Sequence, residues 1–187
     1  SKGLDFDRVS VVGILNADSM LNYPDFRSYE RAFQLMAQVA GRAGRRNKQG
    51  LVVLQTKSPD LPLIHQVMAN DYFRMYSEQL EERELFKYPP FYRLVYVYLK
   101  HWKEDVLDQA AELMASCLRK GLGERVLGPD KPPVSRIQTL FIKKIVVKIE
   151  LDASLVKVRA YLQQVQRFLT EDERFRSLLV YYDVDPM

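Results

Sequence analysis

Apolar positions change period several times along this chain. Residues 9–15 form a short β-branched run of the kind buried in parallel sheets. From about residue 27 to residue 40, Tyr29, Ala32, Phe33, Met36, Ala37 and Ala40 recur at i, i+3, i+4, i+7, i+8 and i+11, one face of a packed helix. Gly50 then precedes a second apolar run, residues 51–56. Strand, helix, strand predicts a βαβ unit with parallel strands, whose earlier neighbours would lie ahead of Ser1.

Ser58-Pro59-Asp60-Leu61-Pro62 interrupts the pattern. Helical stretches follow at residues 63–70 and 71–86, the second carrying Tyr72, Phe73, Tyr76, Leu80 and Leu85 beside a solvated face of Glu78, Glu81, Glu82, Arg83 and Glu84. Tyr88-Pro89-Pro90-Phe91 ends that helix, because proline forbids helical continuation and biases its predecessor to extended geometry. Residues 93–100 then alternate as a strand. Residues 103–120 form an amphipathic helix closed by Gly121, with Val106, Leu107, Ala110, Met114, Cys117 and Leu118 on its apolar face. A short strand at 125–127, a turn at 129–133 and a long strand at 137–150 come next. A helix at 153–169 presents Leu155, Val158, Leu162, Val165 and Leu169 on one face, and residues 178–184 form the last strand. The order β-α-β-β-α-β is that of a split βαβ, ferredoxin-like sandwich. The expected class is therefore α/β: a partial βαβ lobe at 1–57, a helical connector at 58–92, and a small α+β domain at 93–187.

Composition narrows this only modestly. With 187 residues and 47% apolar content, the chain can bury a core. The net charge of +4, from 28 basic and 24 acidic residues, permits nucleic-acid binding without demanding it. The single cysteine, Cys117, excludes an internal disulfide and argues for a reducing compartment. No apolar run approaches membrane-spanning length, and no signal peptide opens the chain, so a cytoplasmic location and no membrane partner are expected. The start at Ser1, inside a motif, suggests a piece of a longer protein.

The stretch Gln38-Val39-Ala40-Gly41-Arg42-Ala43-Gly44-Arg45 carries the candidate chemistry. Its glycines let the backbone turn, and its arginines leave the helix end as always-charged forks suited to phosphate oxygens. Composition alone favours the plainer reading of arginines placed at the negative end of a helix dipole. The residue order, however, resembles motif VI of superfamily 2 helicases, Q-x-x-G-R-x-G-R, at Gln38, Gly41, Arg42, Gly44 and Arg45. Lys2-Gly3-Leu4-Asp5-Phe6 resembles the end of motif V. Asn22-Tyr23-Pro24-Asp25-Phe26-Arg27 with Glu30-Arg31, then Tyr88-Pro89-Pro90-Phe91, Val126-Leu127-Gly128-Pro129 and Asp183-Val184-Asp185-Pro186 resemble the replication-restart helicases, the primosomal protein N-prime family.

That resemblance covers nearly the whole chain and implies a bacterial ATP-driven DNA helicase that reloads the replication machinery. It implies a RecA-like second lobe at the start and a small domain similar to a ribosomal-protein α/β fold at the end. By resemblance, Arg45 is the arginine finger and Arg42 a second phosphate contact. Gln38 would contact nucleotide or brace the lobe interface. Gly3 and Asp5 would couple nucleotide to the DNA surface, unless they only form a turn before a strand. ATP and magnesium are implied for the full-length protein. No glycine here precedes a lysine, so the chain has no G-x-x-x-x-G-K-[ST] loop; alone it is expected to bind no ATP and to be inactive. A zinc module is implied only upstream. The implied partners are forked or single-stranded DNA without sequence preference, primosome and replisome proteins, and single-strand-binding protein.

Further basic residues extend the DNA-binding expectation. Arg46 and Lys48 continue the first cluster, and Lys131, Arg136, Lys143, Lys144 and Lys148 suggest a second. Strand alternation puts Lys144 and Lys148 on one face and Lys143 on the other, so a solvated strand face is an equal alternative. Phosphate contacts there would position DNA without reading sequence. Tyr96, Tyr98 and Phe141 are expected in the core rather than as stacking platforms. Asp183 and Asp185 lack a third ligand, and His65 and His101 lack cysteine partners, so no metal site is expected. A non-catalytic module for branched DNA or replisome proteins is the alternative function, and another superfamily 2 translocase is a further one; Tyr88-Pro89-Pro90-Phe91 and the β-α-β-β-α-β tail argue against the latter. Uncovered strand edges in the first fifty-odd residues are expected to drive self-association or to leave part of that stretch disordered.

Overall fold

The computed structural model describes residues 9–41, 43 and 50–186. The chain divides into two compact units, Ser1–Glu82 and Arg83–Met187.

The first unit opens with β1 (Val11–Ile14), a four-residue helix α1 (Asp18–Leu21), α2 (Ser28–Ala40) and β2 (Leu51–Leu54). β1 and β2 pair in parallel, with Val11 opposite Leu51 and Ile14 opposite Leu54. The apolar stripe expected of α2 is the one that packs: Ala32, Phe33 and Met36 are buried, and Tyr29 and Ala37 lie against the same cluster. Two further helices, α3 (Pro62–Ala69) and α4 (Tyr72–Leu85), follow. Pro62 starts α3, where its missing N–H costs nothing, and Asn70 ends it in the left-handed region at φ 51°. Leu63, Ile64 and Met75 join Ile14, Phe33 and Met36 in one cluster, so the stretch expected as a separate connector shares a core with the strands before it.

The second unit runs β3 (Tyr92–His101), α5 (Glu104–Leu122), β4 (Val126–Asp130), β5 (Arg136–Ile137), β6 (Leu140–Glu150), α6 (Leu155–Glu171) and β7 (Leu179–Val184). Its sheet is antiparallel in the order β4-β6-β3-β7, with β5 added to the end of β6. The expected single strand at 137–150 is broken by a turn at Gln138, φ 53°. Alternation splits the sheet's faces. Val95, Val97 and Leu99 of β3, Ile145, Val147 and Ile149 of β6, and Val180 and Tyr182 of β7 meet α5 and α6. α5 answers with Leu107, Ala110, Ala111, Met114, Ala115, Leu118 and Leu122, a stripe longer than expected.

That helix does not stop at Gly121. It continues to Leu122 and ends at Gly123, φ 60°. Gly121 instead makes room: a Cβ there would lie 2.5 Å from the Tyr161 ring. The Tyr161 hydroxyl donates to the Cys117 carbonyl at 2.7 Å, which ties α6 to α5.

Candidate functional site

The described residues include only part of the expected nucleotide site. Gln38 lies exposed in the last turn of α2. Gly3, Asp5, Arg42, Arg45, Arg46 and Lys48 lie outside the described residues. The segment leading to this helix is held locally. Asp25 accepts from the Arg27 amide and from Arg31 Nη1, both at 2.9 Å, so the Asn22–Arg27 and Glu30-Arg31 residues brace the start of α2. At the other end of the ladder, the Asp18 carboxylate accepts from the Lys57 amide at 2.9 Å and the Thr56 hydroxyl at 2.8 Å. These bonds, the Lys57 amide above all, hold its carboxyl below its usual range.

The second cluster of basic residues disperses. Lys143 pairs with Asp108 of α5 at 3.0 Å on the helix side, and Lys131 pairs with Glu104 at 2.7 Å. Arg136 lies over the Phe141 ring at 4.8 Å. Lys144 and Lys148 share the outer face, as alternation requires, but their surroundings differ. Lys148 is buried; its ammonium donates to the Phe86 carbonyl at 2.6 Å and sits 3.7 Å over the Tyr88 ring. Burial, then the Lys87 charge, pushes its pKa down. It brackets the turn after α4 and is not presented to solvent as a phosphate ligand would be. Lys144 remains on the face, its Nζ 4.6 Å over the Tyr96 ring.

The outer face of β6, β3 and β7 forms a small grid. Tyr98 stands opposite Lys144 on one side and Tyr181 on the other; Tyr96 stands opposite Val146 and Asp183; Lys100 stands opposite Ile142 and Leu179. The Tyr98 and Tyr181 rings stack at 4.8 Å and 13°, and Tyr96 meets Tyr98 edge-on at 6.2 Å. Lys100 Nζ lies 4.6 Å over the Tyr181 ring. Lys100 and Lys144 have no carboxylate partner among the described residues. Each cation–π contact at such a position is worth about 0.5–1 kcal/mol, less than the ~1–3 kcal/mol of a base stacked on an aromatic ring. A stacked base would therefore displace the ammonium.

This overturns the core assignment of Tyr96 and Tyr98, which face away from both helices. Local pattern does not single out Tyr181, because the register that sets it beside Tyr98 pairs strands more than eighty residues apart, nor Lys100, whose place over the Tyr181 ring depends on that same register.

The acidic tail is structural in part. β7 stops at Val184, and Asp185, at φ 50°, clasps β3: its amide donates to the Leu94 carbonyl at 2.8 Å and its Oδ1 accepts from the Leu94 amide at 3.1 Å. It does not share the outer face with Asp183. Among the described residues no group of three or more His, Cys, Asp or Glu side chains could hold a metal ion. No helix there is long and apolar enough to cross a membrane.

The sequence profile of the family described as "Primosomal protein N C-terminal domain" matches residues 84–187. The chain is similar to "Replication restart protein PriA" of Bacillus subtilis, 34% identical over 188 residues, covering all of this chain and 23% of that protein. It is similar to the Haemophilus influenzae protein of the same name, 37% identical over 190 residues, covering all of this chain and 25% of that protein. With the Chlamydia pneumoniae protein it shares 48% identity over 95 residues, 51% of this chain and 13% of that protein. The chain thus spans about a quarter of the length of the first two.

Proposed function

This chain belongs to the primosomal protein N C-terminal domain family, and from that membership we propose that it is the C-terminal part of an ATP-dependent DNA helicase that restarts stalled replication. The observation that carries the catalytic half of this reading is the residue order Gln38-x-x-Gly41-Arg42-x-Gly44-Arg45, which begins in the last turn of α2. On this reading the first unit is part of a RecA-like second lobe. Arg45 acts as the arginine finger, Arg42 is a second phosphate contact, and Gly3 and Asp5 link the nucleotide to DNA. The exposed Gln38 fits a nucleotide contact. ATP with magnesium supplies the phosphoryl group whose developing charge the arginines meet; the P-loop that would cradle it is absent from this sequence.

The second unit, read as a ferredoxin-like sandwich similar to a ribosomal protein, contacts forked or single-stranded DNA without sequence preference. The lysine and tyrosine grid of its outer face supports this. Fork recognition, primosome assembly and contact with single-strand-binding protein belong to the whole protein on the same reading. The test of the catalytic half is Arg45→Ala in the full-length protein. An arginine finger meets charge that develops only in the transition state, so DNA-stimulated ATP turnover falls about a hundredfold or more with ATP affinity little changed. Turnover near wild type removes Arg45 from catalysis.

A further inference from the structure

We propose that the outer face of the β6-β3-β7 sheet is a stacking surface specific for single-stranded nucleic acid, with bases on Tyr96 and Tyr181 and phosphates on Lys100 and Lys144. The inference rests on the DNA-binding part of the function proposed above and names its site and the form of nucleic acid that fits it.

Three observations carry it. First, three tyrosines sit on the face the helices leave bare, and one of them, Tyr181, lies on the edge strand with 40% of its surface exposed. Second, the cations over the rings are not spent on ion pairs: Lys100 and Lys144 hover over Tyr181 and Tyr96 at 4.6 Å with no carboxylate partner among the described residues. Third, the same face is closed at its other end, where Lys148 is committed to the Phe86 carbonyl and the Tyr88 ring. The usable area is therefore the tyrosine end.

The chemistry selects the strandedness. A ring can stack only on a base whose face is accessible, and in a duplex those faces are occupied by neighbouring pairs. The lysines cannot compete with a base for the rings, but they can move to phosphate oxygens once displaced. Asp183, opposite Tyr96, repels phosphate, so the backbone is held to the Lys100 and Lys144 side.

The test uses the intact chain and a labelled oligothymidine about 16 nucleotides long, read by fluorescence anisotropy across a salt series. The expected order is single strand tighter than the matching duplex. Tyr181→Leu and Tyr96→Leu, which keep apolar bulk but lose the ring, each weaken single-strand binding about fivefold to a hundredfold, whereas Tyr181→Phe stays within about twofold. Lys100→Ala and Lys144→Ala each reduce the slope of log K against log salt by about 0.7. Thermal unfolding midpoints near wild type confirm that the variants are folded; Tyr181, at an exposed edge, is the safest of these. Leucine variants that bind like wild type overturn the inference and leave the DNA-binding reading standing. Polyglutamate competing as well as oligothymidine also overturns it, since charge alone would then account for binding. A chain that binds no single strand even at low salt overturns both.

Discussion

In the second unit, Val97, Leu99, Ile145 and Val147 lie on a sheet face closed by α5 and α6, and none of them has any exposure; in the first, β1 and β2 pair only with each other among the described residues, and Val11, Leu51 and Val53 stay 56%, 58% and 50% exposed. Both stretches carry similar β-branched runs. The difference is whether the fold supplies a partner for each apolar face. A two-stranded ladder is marginal in water, so what order the first unit has comes from the cluster of Phe33, Met36, Leu63 and Ile64. A five-stranded sheet under two helices has no such dependence. Polar chemistry follows the same division: the face of the second unit that the helices leave bare carries tyrosines and lysines, while the bare faces of the first carry valine and leucine.

The largest expected consequence is a difference in association. Exposed apolar strands pair with other chains. The whole chain should self-associate through residues 1–57, whereas residues 83–187 alone should remain monomeric; light scattering at rising concentration distinguishes them. A strictly monomeric whole chain would mean that the exposed strands of the first unit are covered in solution. Next in size is a core truncation. Leu118→Ala in α5 removes a side chain with no exposure and should lower stability by about 2–5 kcal/mol in denaturant unfolding, while Val53→Ser should change it by less than about 0.5 kcal/mol. Equal effects would mean that β2 is covered after all.

A smaller effect is expected at Gly128. Its φ is 91°, and a Cβ there would stand 3.0 Å from the Lys144 carbonyl oxygen, which is backbone and cannot give way cheaply. Gly128→Ala should cost about 1–3 kcal/mol, measured the same way. It would also disturb the strand that carries Lys144.

The smallest effects are those of pH. Both Glu150 carboxylate oxygens accept from Arg125 Nε, at 3.0 and 2.7 Å, and that contact holds its carboxyl below the usual 4.5. Its contribution is present above pH 4.5 and lost as pH falls through the lower folded value, so Glu150→Gln flattens the acid limb of a melting-temperature profile. Tyr182 works in the opposite direction. Burial pushes its hydroxyl up to about 12 from 10, so stability holds below pH 10 and declines as pH rises towards 12; Tyr182→Phe removes that decline. Both groups lie in the second unit.

Much of this fold is written in local periodicity. The stripes of α2 and α5 follow from spacing alone, because a helix places i, i+3, i+4 and i+7 on one side. What local pattern could not supply is non-local. Gly121 looks like a helix end until Tyr161, forty residues on, is seen lying against it. Alternation correctly puts Lys144 and Lys148 on one face, but says neither which face the helices take nor that Phe86 and Tyr88 close over Lys148. Tyr96 and Tyr98 look like core for the same reason. The turn at Gln138 and the four-residue helix Asp18–Leu21 are too short to impose a period. Arg42 and Arg45 stand out only through the residue order around them, since composition alone favours a plain helix terminus.

The second unit has its own core and sheet, and on the reading proposed above it holds a nucleic-acid surface of its own. The most direct measurement is the binding of residues 83–187, expressed alone, to forked and single-stranded oligonucleotides by fluorescence anisotropy over a salt series. Weak binding with little sequence preference is expected, its log K falling linearly with log salt. Absence of binding at low salt from a folded, monomeric domain would contradict it and leave that face to a protein partner.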